Sequence, residues 1–309
     1  MADILCLGEP MVEFSHRGGD TYVEGFGGDV SNVAVAAARQ GASAGMIAHI
    51  GTDAFGDKLM NFWKREGVSA RAIHRSARAP TGIYFIHHDT FGHNFSYRRA
   101  GSAASLMGPE DVPAEAIRAA KILHLSGISL AVSPSSCDAC FAAMKIAREA
   151  GVLVSIDTNL RTLLWPVERA AAVTHAAMRW ADIALPGLDD AKALSGLDDP
   201  HEIVGFYQAM GPKVVALTLG AEGALVADAE GLAKIPARPA NLVDASGAGD
   251  CFDGAFLSRL VAGDDARAAG RYAVVAASLS TEGHGAIPPI PRADDVRRAA
   301  KNHAMDGAQ

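Results

Sequence analysis

A run of small residues ending in an acid, Asp244-Ala245-Ser246-Gly247-Ala248-Gly249-Asp250, stands directly before the apolar segment Cys251-Phe252-Asp253-Gly254-Ala255-Phe256. Residues without bulky side chains let backbone N–H groups come close to an anion. A helix that starts there adds its own unpaired N–H groups and the positive end of its dipole. Such a turn suits a phosphate whose charge grows during transfer. Asp250 sits at the helix start, where a carboxylate stays ionised and can accept a proton from an alcohol. The competing reading is an ordinary Gly-rich turn with Asp250 as helix N-cap, and spacing alone does not separate the two.

Other chemical signatures are missing. No GxxxxGKS or GxxxxGKT loop occurs, and a GxGxxG fingerprint would need glycine where Phe252 stands. There is no HExxH, no GxSxG, and the eleven histidines form no evident ligand set. Cys137 and Cys140 make the one CxxC, without a second pair for zinc, and they lie in an Ala-rich stretch that reads as helix packing. His87-His88 reads as a hairpin surface.

The elements that must position the acid follow from pattern. Short apolar runs alternate with amphipathic segments. Strands are expected at Ile4–Leu7, Met46–Ile50, Ile122–Leu125, Leu153–Ile156, Ile183–Leu185 and Val214–Leu219, with a hairpin at 224–235. Helices are expected at 29–40, capped by Asp29 or Ser31, at 55–66, closed by Gly67, and at 136–150, 251–262, 266–281 and 292–302. This alternation predicts an α/β fold: a doubly wound, mostly parallel sheet with helices on both faces. Segments near 12–28 and 82–99 have period two and fall outside that series. The second is a hairpin around a loop containing His93. Both are too short for a domain of their own, so the expectation is one domain over 1–309 with a small β-sheet lid. Ligands of such sheets gather at the carboxyl ends of the strands.

With 309 residues, 49% hydrophobic and 20% charged, the chain is not disordered. A net charge of −7 argues against a general nucleic-acid binder. The start MADILCLGEP lacks a basic n-region, and no apolar run reaches about 18 residues. The expectation is a cytoplasmic protein with no membrane and no nucleic acid as partner.

Gly247-Ala248-Gly249-Asp250 after Asp244, with Gly27-Gly28 and Asn32 opening the first long helix, resembles the ribokinase-like family of sugar kinases. The stretches Gly8-Glu9, Gly51-Thr52-Asp53-Ala54-Phe55-Gly56 and Gly67-Val68 fit in the same order, so the resemblance covers essentially the whole chain. It implies an anion hole at Gly247, Ala248 and Gly249, Asp250 as catalytic base, and Gly28 and Asn32 beside the sugar. Tyr97-Arg98-Arg99-Ala100-Gly101-Ser102-Ala103 and Asp157-Thr158-Asn159-Leu160-Arg161, with Thr81-Gly82-Ile83-Tyr84, are similar to the 2-keto-3-deoxygluconate kinases within that family. A sugar acid needs cations for its carboxylate, and Arg99 and Arg161 can each bind one bidentately. Tyr84 and Tyr97 can donate hydrogen bonds and cover the carbon chain. Alternation turns Arg98 outward.

The turn Thr218-Leu219-Gly220-Ala221-Glu222-Gly223 resembles the family's ATP-adjacent loop, which assigns Thr218, Gly220 and Gly223, with Ser246, Gly247 and Gly249, to ATP. Mg²⁺ is implied too, but the family's Asn-x-x-Glu is replaced by Gly187-Leu188-Asp189-Asp190. Asp189 or Asp190 would then hold Mg²⁺ through water. A monovalent cation near Asp244 belongs to the same resemblance, and exposed lid edges that can pair between subunits give the expectation of a homo-oligomer. Two alternatives stay open: a kinase of the same fold acting on fructose, ribose or a nucleoside, and a non-catalytic sugar or nucleotide sensor.

Overall fold

In chain order the described residues form strands β1 (Ile4–Leu7), β2 (Met11–His16), β3 (Tyr22–Gly27), β4 (Ala44–Gly51), β5 (Ser69–Ser76), β6 (Ile83–Asp89), β7 (Gly92–Arg98), β8 (Ile122–Ser126), β9 (Leu153–Asp157), β10 (Ile183–Ala184), β11 (Val214–Thr218), β12 (Ala224–Asp228) and β13 (Gly231–Ile235). The helices are α1 (Asp29–Arg39), α2 (Ala54–Glu66), α3 (Ala114–Arg118), α4 (Gly127–Ala131), α5 (Pro134–Glu149), α6 (Val167–Met178), α7 (Leu188–Ser195), α8 (Pro200–Met210), α9 (Ala248–Val261), α10 (Ala266–Ser280) and α11 (Ala293–Asp306). This computed structural model describes residues 2–89 and 92–306.

One sheet has nine strands in the order β13-β12-β11-β10-β9-β8-β1-β4-β5. β1 lies inside it and pairs in parallel with β4 and β8, Ile4 standing opposite Ala44 and Ile122. Only the β12 and β13 pairings are antiparallel. All four residues of β1 are buried, as a parallel strand covered on both faces requires. Ile4 and Cys6 join a core with α1, α9 and α10, while Leu5 and Leu7 join a second core with α5 and β8. The sequence expectation of an α/β doubly wound sheet with helices on both faces is met. No helix among the described residues is long and apolar enough to cross a membrane.

The second sheet has the order β3-β2-β6-β7. One face packs on α2: Phe14 meets Phe55 edge-on with centroids 5.7 Å apart, and Phe26 stacks on Phe62 at 4.4 Å. In the register, Glu13 pairs with Tyr84 and Tyr84 with Tyr97, so these three share the opposite face. That face looks over the carboxyl ends of β1, β8 and β9.

Several boundaries differ from expectation for local reasons. The N-cap of α1 is Gly28, not Asp29 or Ser31. Asp29 instead accepts hydrogen bonds from Ser126 and Asn159, and Ser31 accepts one from the Trp63 indole at 3.0 Å. Helix α9 starts at Ala248, so Ala248, Gly249 and Asp250 are already helical. Strand β5 was not expected. It is an edge strand of half-polar sequence, SARAIHRS, with little alternation to read. The backbone of His93 belongs to β7, and the hairpin tip at 90–91 lies outside the described residues. Gly67 closes α2 in the left-handed conformation, as its position suggested.

Candidate active site

Between the two sheets lies a cavity of about 570 Å³. Gly28, Asn32, Tyr84, Tyr97, Arg99, Arg161, Ser246, Gly247 and Asp250 all stand on its wall. The fold thus gathers the expected sugar residues from α1, the second sheet, the β9 carboxyl end and the α9 start.

Asp250 is the third residue of α9. No side chain caps that helix, and its N-cap is Gly247 at φ 72°. The Asp250 carboxylate instead accepts a hydrogen bond from Asn32 Nδ2 at 2.8 Å. The reading of Asp250 as a mere helix cap therefore falls. Burial pushes the Asp250 carboxyl up to about 7, with Asp29 adding to the rise. The Asn32 bond and the Arg161 charge pull the other way. A base with that affinity is matched to neutral pH.

The turn before it is held from outside. Asp244 accepts from the Ser246 N–H at 2.9 Å and from the Gly285 N–H at 2.8 Å. A Cβ on Gly247 would stand 2.8 Å from Cβ of Ala286, so only glycine fits. The Ala248 N–H is engaged with Ala245 O at 3.2 Å. Gly249 and Asp250 occupy positions where a helix has no internal acceptor for its N–H groups, and the space over the Gly249 Cα is open. Of the expected anion-hole residues, these two are best placed.

On the wall formed by the second sheet, the Tyr84 hydroxyl donates to the Glu13 carboxylate. Burial, then the Glu13 charge, holds the Tyr84 phenol well above its ordinary range, so it stays a donor. The Tyr84 and Tyr97 rings stack at 5.8 Å, and the Arg99 guanidinium lies 5.2 Å from the Tyr97 centroid. Arg99 is ion-paired with Glu9, which also accepts from the Ser102 hydroxyl at 3.3 Å. Arg161 donates to its neighbour's carbonyl, Leu160 O, at 2.8 Å and forms no ion pair among the described residues. Arg98 is exposed, as alternation suggested. At Gly28 (φ 101°) a Cβ would stand 2.3 Å from the Glu9 carbonyl oxygen, so the backbones touch there.

Thr218, Gly220 and Gly223 are not on the cavity wall. Thr218 ends β11 and bridges to Gly187, and Gly220 and Gly223 lie in the turn that follows. A Cβ on Gly223 would meet Ile235 O at 2.0 Å, which ties that glycine to hairpin packing, whereas Gly220 faces open space. Asp189 is exposed. Asp190 is half-buried and accepts from the Leu160 N–H at 2.9 Å. Its charge adds to that of Asp250 in raising Asp157, after burial. Among the described residues no three His, Cys, Asp or Glu side chains stand together as direct metal ligands. The donor set is carboxylate oxygen, which suits Mg²⁺ held through its waters. Each Asp244 oxygen accepts one of the two amides above.

The cavity also contains Glu9, Glu13, Asp29 and Arg17, none of which the sequence patterns marked as a site residue. Period-two alternation in β2 was the available signal for Glu13, since Met11, Glu13 and Ser15 share a face. Nothing local marked Asp29, whose position depends on contacts with residues 126 and 159.

The profile of the pfkB family carbohydrate kinases matches residues 1–293. The chain belongs to the pfkB family. It is a carbohydrate kinase, a phosphotransferase with an alcohol acceptor. A 2-dehydro-3-deoxygluconokinase of Thermoproteus tenax is 33% identical over 313 residues, 97% of this chain and 95% of the relative. A probable fructokinase-4 of Arabidopsis thaliana is 31% identical over 319 residues, 97% of each chain. Among solved structures, a PfkB protein from Polaromonas sp. JS666 superposes with a TM-score of 0.88 at 29% identity, over 96% of this chain and 99% of that one. A putative ribokinase II from E. coli in complex with ATP and Mg²⁺ gives 0.89 at 24% identity, over 98% and 100%. A fructokinase double mutant from Vibrio cholerae O395 with fructose, ADP and potassium gives 0.88 at 26% identity, over 97% and 98%. This pfkB kinase therefore has the ribokinase-like fold, and its relatives act on more than one sugar.

Proposed function

We propose that this pfkB kinase transfers a phosphoryl group from ATP to 2-keto-3-deoxygluconate, giving the 6-phosphate. The observation that carries this is Arg161, a cation on the cavity wall with no carboxylate partner among the described residues, close enough to act electrostatically on Asp250 and Tyr97. A carboxylate on the sugar would complete it. Asp250 accepts the proton of the attacking hydroxyl. The amides of Gly249 and Asp250, with Gly247 and Ala248 shaping the turn, take up charge on the transferred group. Positioning and charge stabilisation supply most of the rate.

Tyr84 and Tyr97 cover the carbon chain, and the second sheet serves as a lid on the one domain. Gly28 and Asn32 face the sugar. Thr218, Gly220, Gly223 and Ser246 border the nucleotide. Asp189 and Asp190 would hold Mg²⁺ through water, and the ion would supply neutralisation of phosphate charge. A monovalent cation beside Asp244 completes the set.

A second reading, phosphorylation of a neutral sugar such as fructose, is favoured by one observation. Arg99 already has a carboxylate partner in Glu9. The test is an ADP-release assay with Mg-ATP, comparing 2-keto-3-deoxygluconate with fructose, ribose and adenosine. Strong preference for the keto-deoxy acid supports the first reading. Turnover only on a neutral sugar replaces it with the second, and silence on all four overturns both.

A further inference from the structure

Residues 284–291, His284-Gly285-Ala286-Ile287-Pro288-Pro289-Ile290-Pro291, form an irregular segment against the catalytic turn. Its first part walls the cavity, and Ala286 presses on Gly247 closely enough to exclude a methyl group. Three of its residues are prolines, which have no N–H to donate. Within the segment the Ile290 N–H serves Ile287 O at 3.1 Å, and the carboxyl end of α1 supplies further donors.

Arg39, the last residue of α1, donates from Nη1 to Ile287 O at 2.9 Å and to Ile290 O at 2.7 Å. Its other two nitrogens bind Glu66 of α2 bidentately, each at 2.9 Å. The neighbouring Gln40 donates to Pro291 O at 2.7 Å. The Arg39 side chain is only 10% exposed, and its hydrogen bond and charge hold the Glu66 carboxyl below the usual range. A bidentate guanidinium of this kind is fixed in orientation as well as in place. Helix α1 thus reaches the catalytic turn twice: through Asn32, which donates to Asp250, and through Arg39, the 287–290 carbonyls, Ala286 and Gly247.

We propose that Arg39, which does not line the cavity, is a positioning residue for phosphoryl transfer: it holds the 285–290 segment against Gly247 and so sets the geometry of the Gly249 and Asp250 amides. The inference rests on reading that turn as the anion hole and Asp250 as the base. Because the amides act on charge that develops during transfer, loosening them lowers kcat and leaves sugar binding largely intact.

The experiment is steady-state kinetics of Arg39→Lys, Glu66→Gln and Ala286→Gly, with kcat normalised to the folded fraction measured by circular dichroism. Arg39→Lys keeps the charge and loses the fork. The expected result is a fall in kcat of about tenfold or more with KM for the sugar within about twofold. The Arg39→Lys/Ala286→Gly double variant is expected to lose little more than the worse single one, since both release the same wall. Unchanged kcat in a folded Arg39→Lys protein overturns the proposal. So do a loss confined to KM and losses that multiply in the double variant. If Arg39→Lys does not fold, Glu66→Gln carries the test with the same expected fall in kcat, because it removes the charge and one acceptor of the fork while leaving Arg39 in place. Asp250→Asn is the control: near-normal turnover there sinks the reading of the turn itself, whereas an inactive Asp250→Asn with an unaffected Arg39→Lys sinks only the role of Arg39.

Discussion

Arg99 is ion-paired with Glu9 inside the cavity, and the Glu9 side chain is 1% exposed. The arginine that looks available to a substrate carboxylate in the sequence already neutralises a buried acid. Arg99→Ala leaves that acid without its cation. It should cost about 3–5 kcal/mol of stability in denaturant unfolding, and Glu9→Gln in the same chain should restore part of it. Full stability of Arg99→Ala would show that the pair contributes nothing to the fold.

On the proposed reading, discrimination between acids and neutral sugars falls to Arg161. Arg161→Ala should raise KM for 2-keto-3-deoxygluconate by about 10- to 100-fold, the value of a hydrogen bond to a charged group. KM for fructose should change far less. Equal effects on both would argue against a carboxylate contact.

As the proposed base, Asp250 must be ionised to act, and its carboxyl is pushed up to about 7. The kcat/KM profile should therefore fall as pH drops below about 7. Asn32 favours the charged form, so Asn32→Ala should raise the Asp250 pKa and move the acid limb to higher pH. A limb that stays in place or moves lower would separate Asn32 from the titrating group.

Gly187 leaves room for a side chain: the nearest atom to an added Cβ is Thr218 Oγ1, 3.8 Å away. Gly187→Asn should fold normally and lower the Mg²⁺ concentration for half-maximal activity by about tenfold, a typical effect of groups around a metal. An unchanged Mg²⁺ dependence would place the metal away from α7.

Helices α1 and α9 touch at Gly254, where a Cβ would lie 2.5 Å from Val33 O and 2.5 Å from Cβ of Ala36. Gly254→Ala should lower stability by about 1–3 kcal/mol in thermal or denaturant unfolding. A neutral result would mean that the two helices can separate freely.

The α/β layout was legible in the amino acids because it depends on local pattern, and the family resemblance marked candidate residues that the fold brings to one cavity. Fully apolar runs such as Ile4–Leu7 read as buried parallel strands, and Gly247 to Asp250 is one contiguous run of chain at the start of α9. Strand β5 escaped because an edge strand needs no apolar alternation. Tertiary structure alone decided what each charge faces. The partner of Arg99 lies 90 residues away at Glu9, and that of Asp250 lies 218 residues away at Asn32. It also decided that Asp29 turns to Ser126 and Asn159 instead of capping its own helix. A side chain's type is written in its codon, but its proton affinity and its freedom to bind a ligand depend on burial and on neighbours brought in from distant parts of the chain.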